Sequence, residues 1–324
     1  MRLLVLGGTL FLGRHVVDAA LRRGHEVATF TRGLAGAPPP GVRDLHGDRD
    51  DPPSLAAALD GWAPQGVVDT SCQSRTAADQ AAATLAGVEA YAFVSSLNAY
   101  RRWPPGPVTS DDDPTWDTDD EGYGPVKAYA ERTLTAAIGG PVLLARAGLI
   151  VGPHDHANRL GWWLRRLVAG GRVVVPEGLD QPIALVDARD LADWLVRAVE
   201  DRWSGGVNAT GSAGTTTFGG LLRTCAEVVG SDADLVPVSD GDLLAAGVEE
   251  WVHLPLWVPA PAAATLWDVS TQRARETGLA SRPVRESVAD TWAWLQTLDA
   301  PPLLARMPTP GLPADLERTL LAGR

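Results

Sequence analysis

Tyr123 and Lys127 stand four positions apart at the start of a helical pattern in the middle of the chain. Residues at this spacing share a helix face, so the phenol and the ammonium can point into one cleft. A nearby cation favours the phenolate, which makes a tyrosine a usable proton donor or acceptor near neutral pH. Lys127 is the only lysine among the 28 lysines and arginines. Because arginine is planar and bulkier, a lysine kept here indicates a specific task, although the spacing also fits a helix pair without one.

The N-terminal residues have the pattern of a nucleotide-binding unit. An apolar run at residues 2–6 predicts a buried strand, and a glycine-rich turn, a helix ending at Arg23 and a second strand at 25–31 follow it. In such a βαβ unit, the amides at the helix start can bind a pyrophosphate. A tight turn without a ligand would show the same glycines. The turn residues predicted to bind a dinucleotide are Gly7, Thr9, Leu10, Phe11, Leu12 and Gly13.

The residues that end the second strand favour NADP as the cofactor. Thr31 offers no carboxylate to a ribose 2′-hydroxyl, whereas Arg32 offers a cation to a 2′-phosphate. NAD stays the alternative, because Arg32 also fits a solvated surface arginine. Four residues after the third strand and at the end of the fourth are also predicted to border the cofactor: Asp48, whose carboxylate could reach the adenine, Arg49, Thr70 and Ser71.

Strands and helices alternate along the first two thirds of the chain, which predicts an α/β fold with a doubly wound parallel sheet, the Rossmann fold. Ser96 ends the fifth strand, at the sheet edge where ligands bind, so its hydroxyl joins Tyr123 and Lys127 as a candidate. A loop rich in proline and aspartate at residues 101–122 precedes Tyr123, and loops of this length are usually functional or mobile. The third to sixth strands are predicted at 42–47, 66–70, 91–96 and 141–146, with helices at 53–59 and 76–86.

The rest of the chain predicts a smaller substrate lobe. We assign residues 1–153 and about 183–202 to the dinucleotide-binding lobe, and about 154–182 and 203–324 to the substrate lobe. The proline-rich tail after residue 300 is expected to wrap over the surface or over a partner copy. Strands are predicted at 172–176 and 182–186, and helices at 159–168, 187–200 and 284–297.

Taken together, these motifs resemble the extended and atypical short-chain dehydrogenases/reductases, often described as NAD-dependent epimerases/dehydratases. The resemblance covers most of residues 1–210 and rests on the turn at 7–13, Val94-Ser95-Ser96, Tyr123-x-x-x-Lys127 and the run at 146–153. It implies that Ser96 orients the substrate oxygen and that Tyr123 is the general acid/base. Lys127 would favour the phenolate and bind the nicotinamide ribose. Three backbone positions would flank the nicotinamide: Ala147, Leu149 and Ile150.

Three departures from the family pattern bear on function. Leu10 stands where a glycine is usual, which questions the close approach of the pyrophosphate at that position. Leu97 and Asn98 replace the Asp-Glu pair of sugar-nucleotide 4,6-dehydratases, so that reaction would lack its acid and base. The atypical branch includes RNA-binding proteins, which fit poorly with a formal net charge of −12.

The candidates for substrate contact are Asn98, His154, Trp162 and Trp163. His154 lies in a His-Asp-His segment after the sixth strand, which we expect near the nicotinamide, although it also fits a surface loop. A metal would need a third ligand, and none is evident, so no metal is predicted. The tandem tryptophans lie on an amphipathic helix and fit a packed core as well as a substrate wall.

Composition narrows the function classes. The chain has 324 residues, 45% hydrophobic and 21% charged, as in ordinary globular proteins. The sequence shows no apolar run of membrane-spanning length, so we expect no membrane partner, and its acidic charge argues against a nucleic-acid partner. It begins with a strand rather than a signal peptide and has two distant cysteines, so we expect a cytoplasmic protein. A homodimer is possible. We expect an NADP-dependent oxidoreductase acting on a small molecule; the alternatives are an NAD-dependent epimerase of nucleotide-sugars and a non-catalytic NADP-binding regulator.

Overall fold

Seven parallel strands form the centre of the protein. The computed structural model describes residues 1–300, 308–322 and 324. The sheet reverses its strand order beside β1, the arrangement of a doubly wound nucleotide-binding fold, so the predicted fold class is confirmed. In spatial order its strands are β11 (Gly205–Ala209), β6 (Val142–Ala147), β5 (Ala90–Ser96), β4 (Gly66–Asp69), β1 (Arg2–Leu6), β2 (Glu26–Thr31) and β3 (Arg43–His46).

Helices cover both faces of this sheet. α1 (Phe11–Arg22) and α6 (Ala188–Glu200) pack on one face, and α3 (Arg75–Thr84) and α4 (Tyr123–Ala137) pack on the other. Because both faces are covered, the strands are near-continuous apolar runs, and residues 3–6 of β1 are fully buried. None of the helices among the described residues is long and apolar enough to span a bilayer.

A second apolar core lies outside the central sheet. The remaining α-helices and strands are α2 (Ser54–Leu59), β7 (Leu149–Val151), α5 (Arg159–Val168), β8 (Arg172–Pro176), β9 (Pro182–Ile183), β10 (Leu185–Asp187), β12 (Thr216–Thr217), α7 (Phe218–Val229), β13 (Asp234–Val238), α8 (Asp240–Ala245), α9 (Ala263–Leu266), α10 (Gln272–Glu276), α11 (Val284–Leu295) and α12 (Ala314–Ala322). In the second core α7 packs against α5 and α11, and β8 pairs with β13 in parallel.

Two segments differ from the sequence prediction. The strand expected at residues 182–186 is two short strands, because β9 pairs with β12 whereas β10 pairs with β7. The chain returns to the central sheet again after residue 202, since β11 pairs with β6 as the outermost strand of that sheet. Residues 205–209, assigned to the substrate lobe from the sequence, therefore belong to the main sheet.

The described part of the C-terminal tail lies against its own chain. Glu317 of α12 accepts hydrogen bonds from the Arg166 side chain at 3.0 Å and from the Val174 backbone amide at 3.2 Å. These contacts fix α12 beside α5 and β8. Residues 301–307 of the tail lie outside the described residues.

Candidate active site

A cleft of about 440 Å³ runs along the carboxyl ends of the central strands. Parallel strands bring their carboxyl ends to one edge, so residues far apart in the sequence meet there. All three candidate catalytic residues, Ser96, Tyr123 and Lys127, line this cleft. So do most of the candidate cofactor residues: Gly7, Thr9, Leu10, Phe11, Leu12, Gly13, Arg32, Asp48, Arg49, Thr70, Ser71, Ala147 and Ile150.

The turn between β1 and α1 needs two of its glycines. Gly7 has φ +92°, and a Cβ there would lie 2.7 Å from the Cβ of Ser71. A Cβ on Gly13 would lie 1.8 Å from the Gly7 carbonyl oxygen. Leu10 is the N-cap residue of α1, and its backbone is extended, with φ −120°, a conformation that any residue can adopt. Its apolar side chain cannot cap the backbone amides of the first turn. The helix start therefore leaves its amides to a ligand such as a diphosphate.

The turn gives a first testable prediction. Gly7→Val should abolish nucleotide binding, because the side chain would collide with residues 70–71 at the closest point of the turn. Leu10→Gly should change the binding free energy by no more than about 1 kcal/mol, since the extended backbone does not require glycine there. Calorimetric titration with NADPH measures both, with thermal unfolding as the check on folding. Normal binding by Gly7→Val would place the phosphate site elsewhere.

Lys127 is held in place by backbone oxygens. Its side chain is buried, and Nζ donates to the carbonyl oxygens of Cys72 at 2.8 Å and Val94 at 3.0 Å. Nζ also lies 5.7 Å from the centre of the Tyr123 ring. An ammonium carries three protons, so one remains for the cleft after these two bonds. The position thus suits a compact cation rather than a guanidinium.

Tyr123 and Ser96 present hydroxyl groups at the same cleft. Tyr123 is the first residue of α4 and is 51% exposed. Ser96 ends β5, and its Oγ accepts hydrogen bonds from the backbone amide and the side-chain amide of Asn98, both at 3.2 Å. Among the described contacts, the Ser96 hydroxyl only accepts, so its proton is available to a substrate oxygen. Asn98, a candidate for substrate contact, donates both of these hydrogen bonds and so orients Ser96.

Behind the cleft, a buried ionic network holds α4 against the sheet. Glu131, one turn after Lys127, accepts from Ser95 at 2.5 Å and from Arg146 at 2.7 Å. Arg146 also donates to the Tyr100 hydroxyl at 2.8 Å. Burial alone would lower the pKa of Arg146, but its bonds to Glu131 raise it above the usual value. Sequence reasoning missed this network, although the spacing of Tyr123, Lys127 and Glu131 was a signal for it.

The guanidinium of Arg49 is paired with protein groups rather than free to contact a ligand in the cleft. Its guanidinium donates to both oxygens of Asp69, at 2.9 and 3.0 Å, and to Ser71 Oγ at 3.1 Å. Burial alone would raise the pKa of Asp69, but the paired guanidinium holds it below its usual value. Arg49 borders the cleft, and these bonds fix the loop after β4.

Five candidate residues are not among those that line the cleft: Leu149, Asn98, Trp162, Trp163 and His154. Leu149 lies on β7, between the lining residues Gly148 and Ile150. Trp163 is fully buried, its indole nitrogen donates to the Pro255 carbonyl at 2.7 Å, and Trp162 packs edge-on against it.

His154 lines a hollow beside α1 that adjoins the cleft, with its ring centre 5.6 Å from that of His15 and 5.1 Å from that of Trp294. Burial, followed by the charge of Arg14, lowers the pKa of His154 to about 4. Within residues 1–300, 308–322 and 324, no cluster of three histidine, cysteine or acidic side chains could hold a metal ion.

The relatives with similar sequences include a protein named for binding RNA stem-loops and a protein named as a reductase. The chain is 25% identical over 244 residues to the chloroplast stem-loop binding protein of 41 kDa b of Arabidopsis thaliana, covering 71% of this chain and 63% of the relative. It is 30% identical over 185 residues to the 2′-dehydrokanamycin reductase of Streptomyces kanamyceticus, covering 55% of this chain and 52% of the relative. The chain thus spans less than two thirds of the length of these two relatives.

Solved structures share the fold. The Bordetella bronchiseptica enzyme WbmH in complex with NAD⁺ superposes with a TM-score of 0.69 at 16% identity, over 92% of this chain and 99% of that chain. WbmG of the same organism, in complex with NAD and UDP, superposes with a TM-score of 0.68 at 19% identity, over 96% and 99%. At these identities the likeness shows the fold alone.

The family assignment rests on the sequence match. Residues 3–210, more than half of the chain, match the NAD dependent epimerase/dehydratase family. The match covers the glycine turn, the cleft and α4, and it confirms the resemblance seen in the sequence. The chain therefore belongs to the NAD-dependent epimerase/dehydratase family.

Proposed function

We propose that the protein is an NADP-dependent oxidoreductase that reduces a carbonyl group of a small organic substrate, or oxidises the corresponding alcohol. One observation carries the proposal: the exposed phenol of Tyr123, the buried ammonium of Lys127 and the hydroxyl of Ser96 line the same cleft as the glycine turn. These three side chains can bind a substrate oxygen, protonate it and stabilise the phenolate that forms on Tyr123.

Each side chain has a separate task in this proposal. The bound cofactor supplies hydride when the reaction runs as a reduction. Ser96 donates its free proton to the substrate oxygen, and Asn98 keeps the serine oriented through two hydrogen bonds. Tyr123 transfers its phenolic proton to the same oxygen. Lys127, held between two carbonyl oxygens, stabilises the phenolate and offers its remaining proton to the cofactor ribose.

The preference for NADP is inferred from the part of the cleft at the end of β2. β2 ends at Thr31, and Thr31 and Arg32 line the cleft together. A ribose 2′-hydroxyl would be bound by a carboxylate at this point, whereas a 2′-phosphate needs a cation. Arg32 is exposed and therefore free to reach such a phosphate.

Arg32→Ala should remove much of the preference for NADPH over NADH. A charge-assisted hydrogen bond to phosphate is worth roughly 1.5–3 kcal/mol. The dissociation constants of both cofactors, measured by calorimetry for parent and variant, test this expectation. NADH affinity is the internal control, because it should stay unchanged. A parent protein that binds NADH as tightly as NADPH would refute the choice of cofactor.

A reductase and an epimerase with the same side chains differ in what happens to free cofactor. A reductase consumes NADPH in proportion to product, whereas an epimerase oxidises and re-reduces its substrate within one turnover and leaves free cofactor unchanged. The absorbance of NADPH, followed with panels of ketones, aldehydes and nucleotide-sugars, separates them. We favour the reductase because Arg32 suits NADP. The acidic net charge tells against stem-loop RNA as a ligand.

The division of the chain into a nucleotide-binding lobe and a substrate lobe is part of this proposal. Two apolar cores support it, since one lies around the central sheet and another around α5, α7 and α11. A homodimer and a cytoplasmic location stay predictions.

A further inference from the structure

Residues 117–122 lead directly into α4, and Arg75 holds them. Arg75 is the first residue of α3, and its guanidinium donates to the carbonyl oxygens of Thr118 at 3.1 Å and Asp120 at 3.3 Å. It also donates to the carboxylate of Asp119 at 3.1 Å. Because the Asp119 side chain is fully exposed, this ion pair adds little, and the two bonds to backbone oxygens are the main attachment.

Arg75 is itself fixed between α3 and α4. The central carbon of its guanidinium lies 4.5 Å from the centre of the Tyr129 ring on α4. The Tyr129 hydroxyl in turn donates to the carboxylate of Asp79 on α3 at 2.8 Å. The Arg75 side chain is 19% exposed, so a cation that could extend into water lies against the protein instead. Arg75 therefore joins three segments, namely α3, α4 and the residues that enter α4.

Tyr123 depends on its backbone for its position. Its ring is 51% exposed, and within the part of the chain that the structure describes its hydroxyl has no hydrogen-bond partner. Gly122, the N-cap residue of α4, has no side chain that could cap the helix. Among the described contacts, all the hydrogen bonds that join residues 117–122 to elements other than α4 come from Arg75. Arg75 is thus the anchor of the chain immediately before Tyr123.

The loop between β4 and α3 also holds Lys127. This loop, residues 70–74, directly precedes Arg75, and the carbonyl oxygen of its Cys72 accepts from Lys127 Nζ at 2.8 Å. Its last residue is fixed as well, because the Ser74 side chain caps the start of α3. One loop therefore places the ammonium directly and, through Arg75, the residues that precede the phenol.

We propose that Arg75 is a positioning residue that orients the phenol of Tyr123 toward the cleft beside Lys127 by fixing residues 117–122. The inference rests on the proposed function, in which Tyr123 is the proton donor. Proton transfer requires the donor to lie within hydrogen-bond distance of the substrate oxygen, and a misplacement of about 1 Å can cost about 10²-fold in rate. The loop at 101–122 is then held still at its end, where the proton donor begins.

The first test needs no substrate. The chain has four tyrosines, so protein labelled with carbon-13 at the tyrosine Cζ gives four signals in its complex with NADP⁺. Tyr123→Phe identifies the signal of Tyr123. Arg75→Met removes the donors but keeps a long side chain beside Tyr129. It should shift or broaden the Tyr123 signal, while the signals of the buried Tyr91 and Tyr100 stay unchanged.

The second test follows the rate of NADPH oxidation with the carbonyl compound used for Tyr123→Phe. Arg75→Met should lower turnover by about 10- to 100-fold, with the KM of the carbonyl compound and the affinity for NADPH within about twofold of the parent. In the Tyr123→Phe background it should lower turnover no further, because it acts through that hydroxyl.

Two other variants make the result specific. Asp119→Asn removes only the exposed ion pair, so it should leave the Tyr123 signal and turnover unchanged. Arg75→Lys keeps the charge, but one ammonium cannot replace the fork that binds two carbonyl oxygens, so it should act like Arg75→Met. Thermal unfolding and calorimetric titration with NADP⁺ check that the variants are folded and bind the cofactor.

Each contrary outcome has a distinct meaning. A parental Tyr123 signal in both Arg75 variants would overturn the positioning role and leave the proposed function standing. Parental turnover in a variant whose Tyr123 signal has changed would do the same. An equal loss of turnover with and without the Tyr123 hydroxyl would mean that Arg75 acts elsewhere. Full turnover in Tyr123→Phe alone would refute the proposed function itself, and the role of Arg75 with it.

Discussion

Replacing Tyr123 by phenylalanine is expected to lower turnover by about 10²–10⁴-fold, the usual contribution of a positioned proton donor. The substitution removes one hydroxyl from a side chain that is 51% exposed, so folding and cofactor affinity should be preserved. The rate of NADPH oxidation in a single turnover, with any carbonyl compound that the enzyme reduces, measures the effect.

Two further variants make this result specific. Tyr129→Phe is the matched control, because Tyr129 lies on the same helix but donates to Asp79 and does not line the cleft. It should leave turnover unchanged. Ser96→Ala should slow turnover less than Tyr123→Phe, since it removes orientation of the oxygen but keeps the proton donor. Full activity in Tyr123→Phe would mean that another group, or water, supplies the proton.

Lys127→Met should lower turnover by about 10²–10³-fold and weaken cofactor binding, because the charge that stabilises the phenolate and the donor to the ribose are lost together. It also takes a donor away from the carbonyls of Cys72 and Val94, which should reduce the free energy of unfolding by about 1–3 kcal/mol. Denaturant unfolding and NADPH titration measure the two effects separately.

Lys127→Arg keeps the charge and should fail for a different reason. Lys127 is 2% exposed and its ammonium lies between two backbone oxygens, so the larger guanidinium would overpack the site at a cost of about 1–3 kcal/mol. A Lys127→Arg variant with parental turnover and stability would show that only the charge matters here, and not its position.

The local patterns predicted the central sheet and the cleft well. The glycine-rich turn, the strand ends and the helix periodicity can be recognised from neighbouring residues alone. Once strands are known to be parallel, their carboxyl ends must meet at one edge of the sheet. This is why residues as distant in sequence as Gly7, Ser96 and Lys127 were expected to share a site, and they line the same cleft.

Contacts between distant polar side chains could not be predicted in the same way. Arg49 had the chemistry of a ligand contact, but its partner Asp69 is 20 residues away and buried, which only the folded chain reveals. Asn98 and the tandem tryptophans likewise found partners inside the protein. The sequence pattern also did not predict the conformation of Leu10. Its backbone is extended, which explains why no glycine is needed there.

The crystal structure of the protein with NADP⁺ tests the central claim most directly, because it requires no knowledge of the substrate. We expect the nicotinamide to lie beside Ala147 and Ile150, and the Tyr123 and Ser96 hydroxyls to face its C4 across an open space. Lys127 Nζ should keep its two carbonyl partners and donate its third proton to the ribose. A Tyr123 side chain turned away from the nicotinamide, or protein atoms filling that space, would contradict the proposed chemistry.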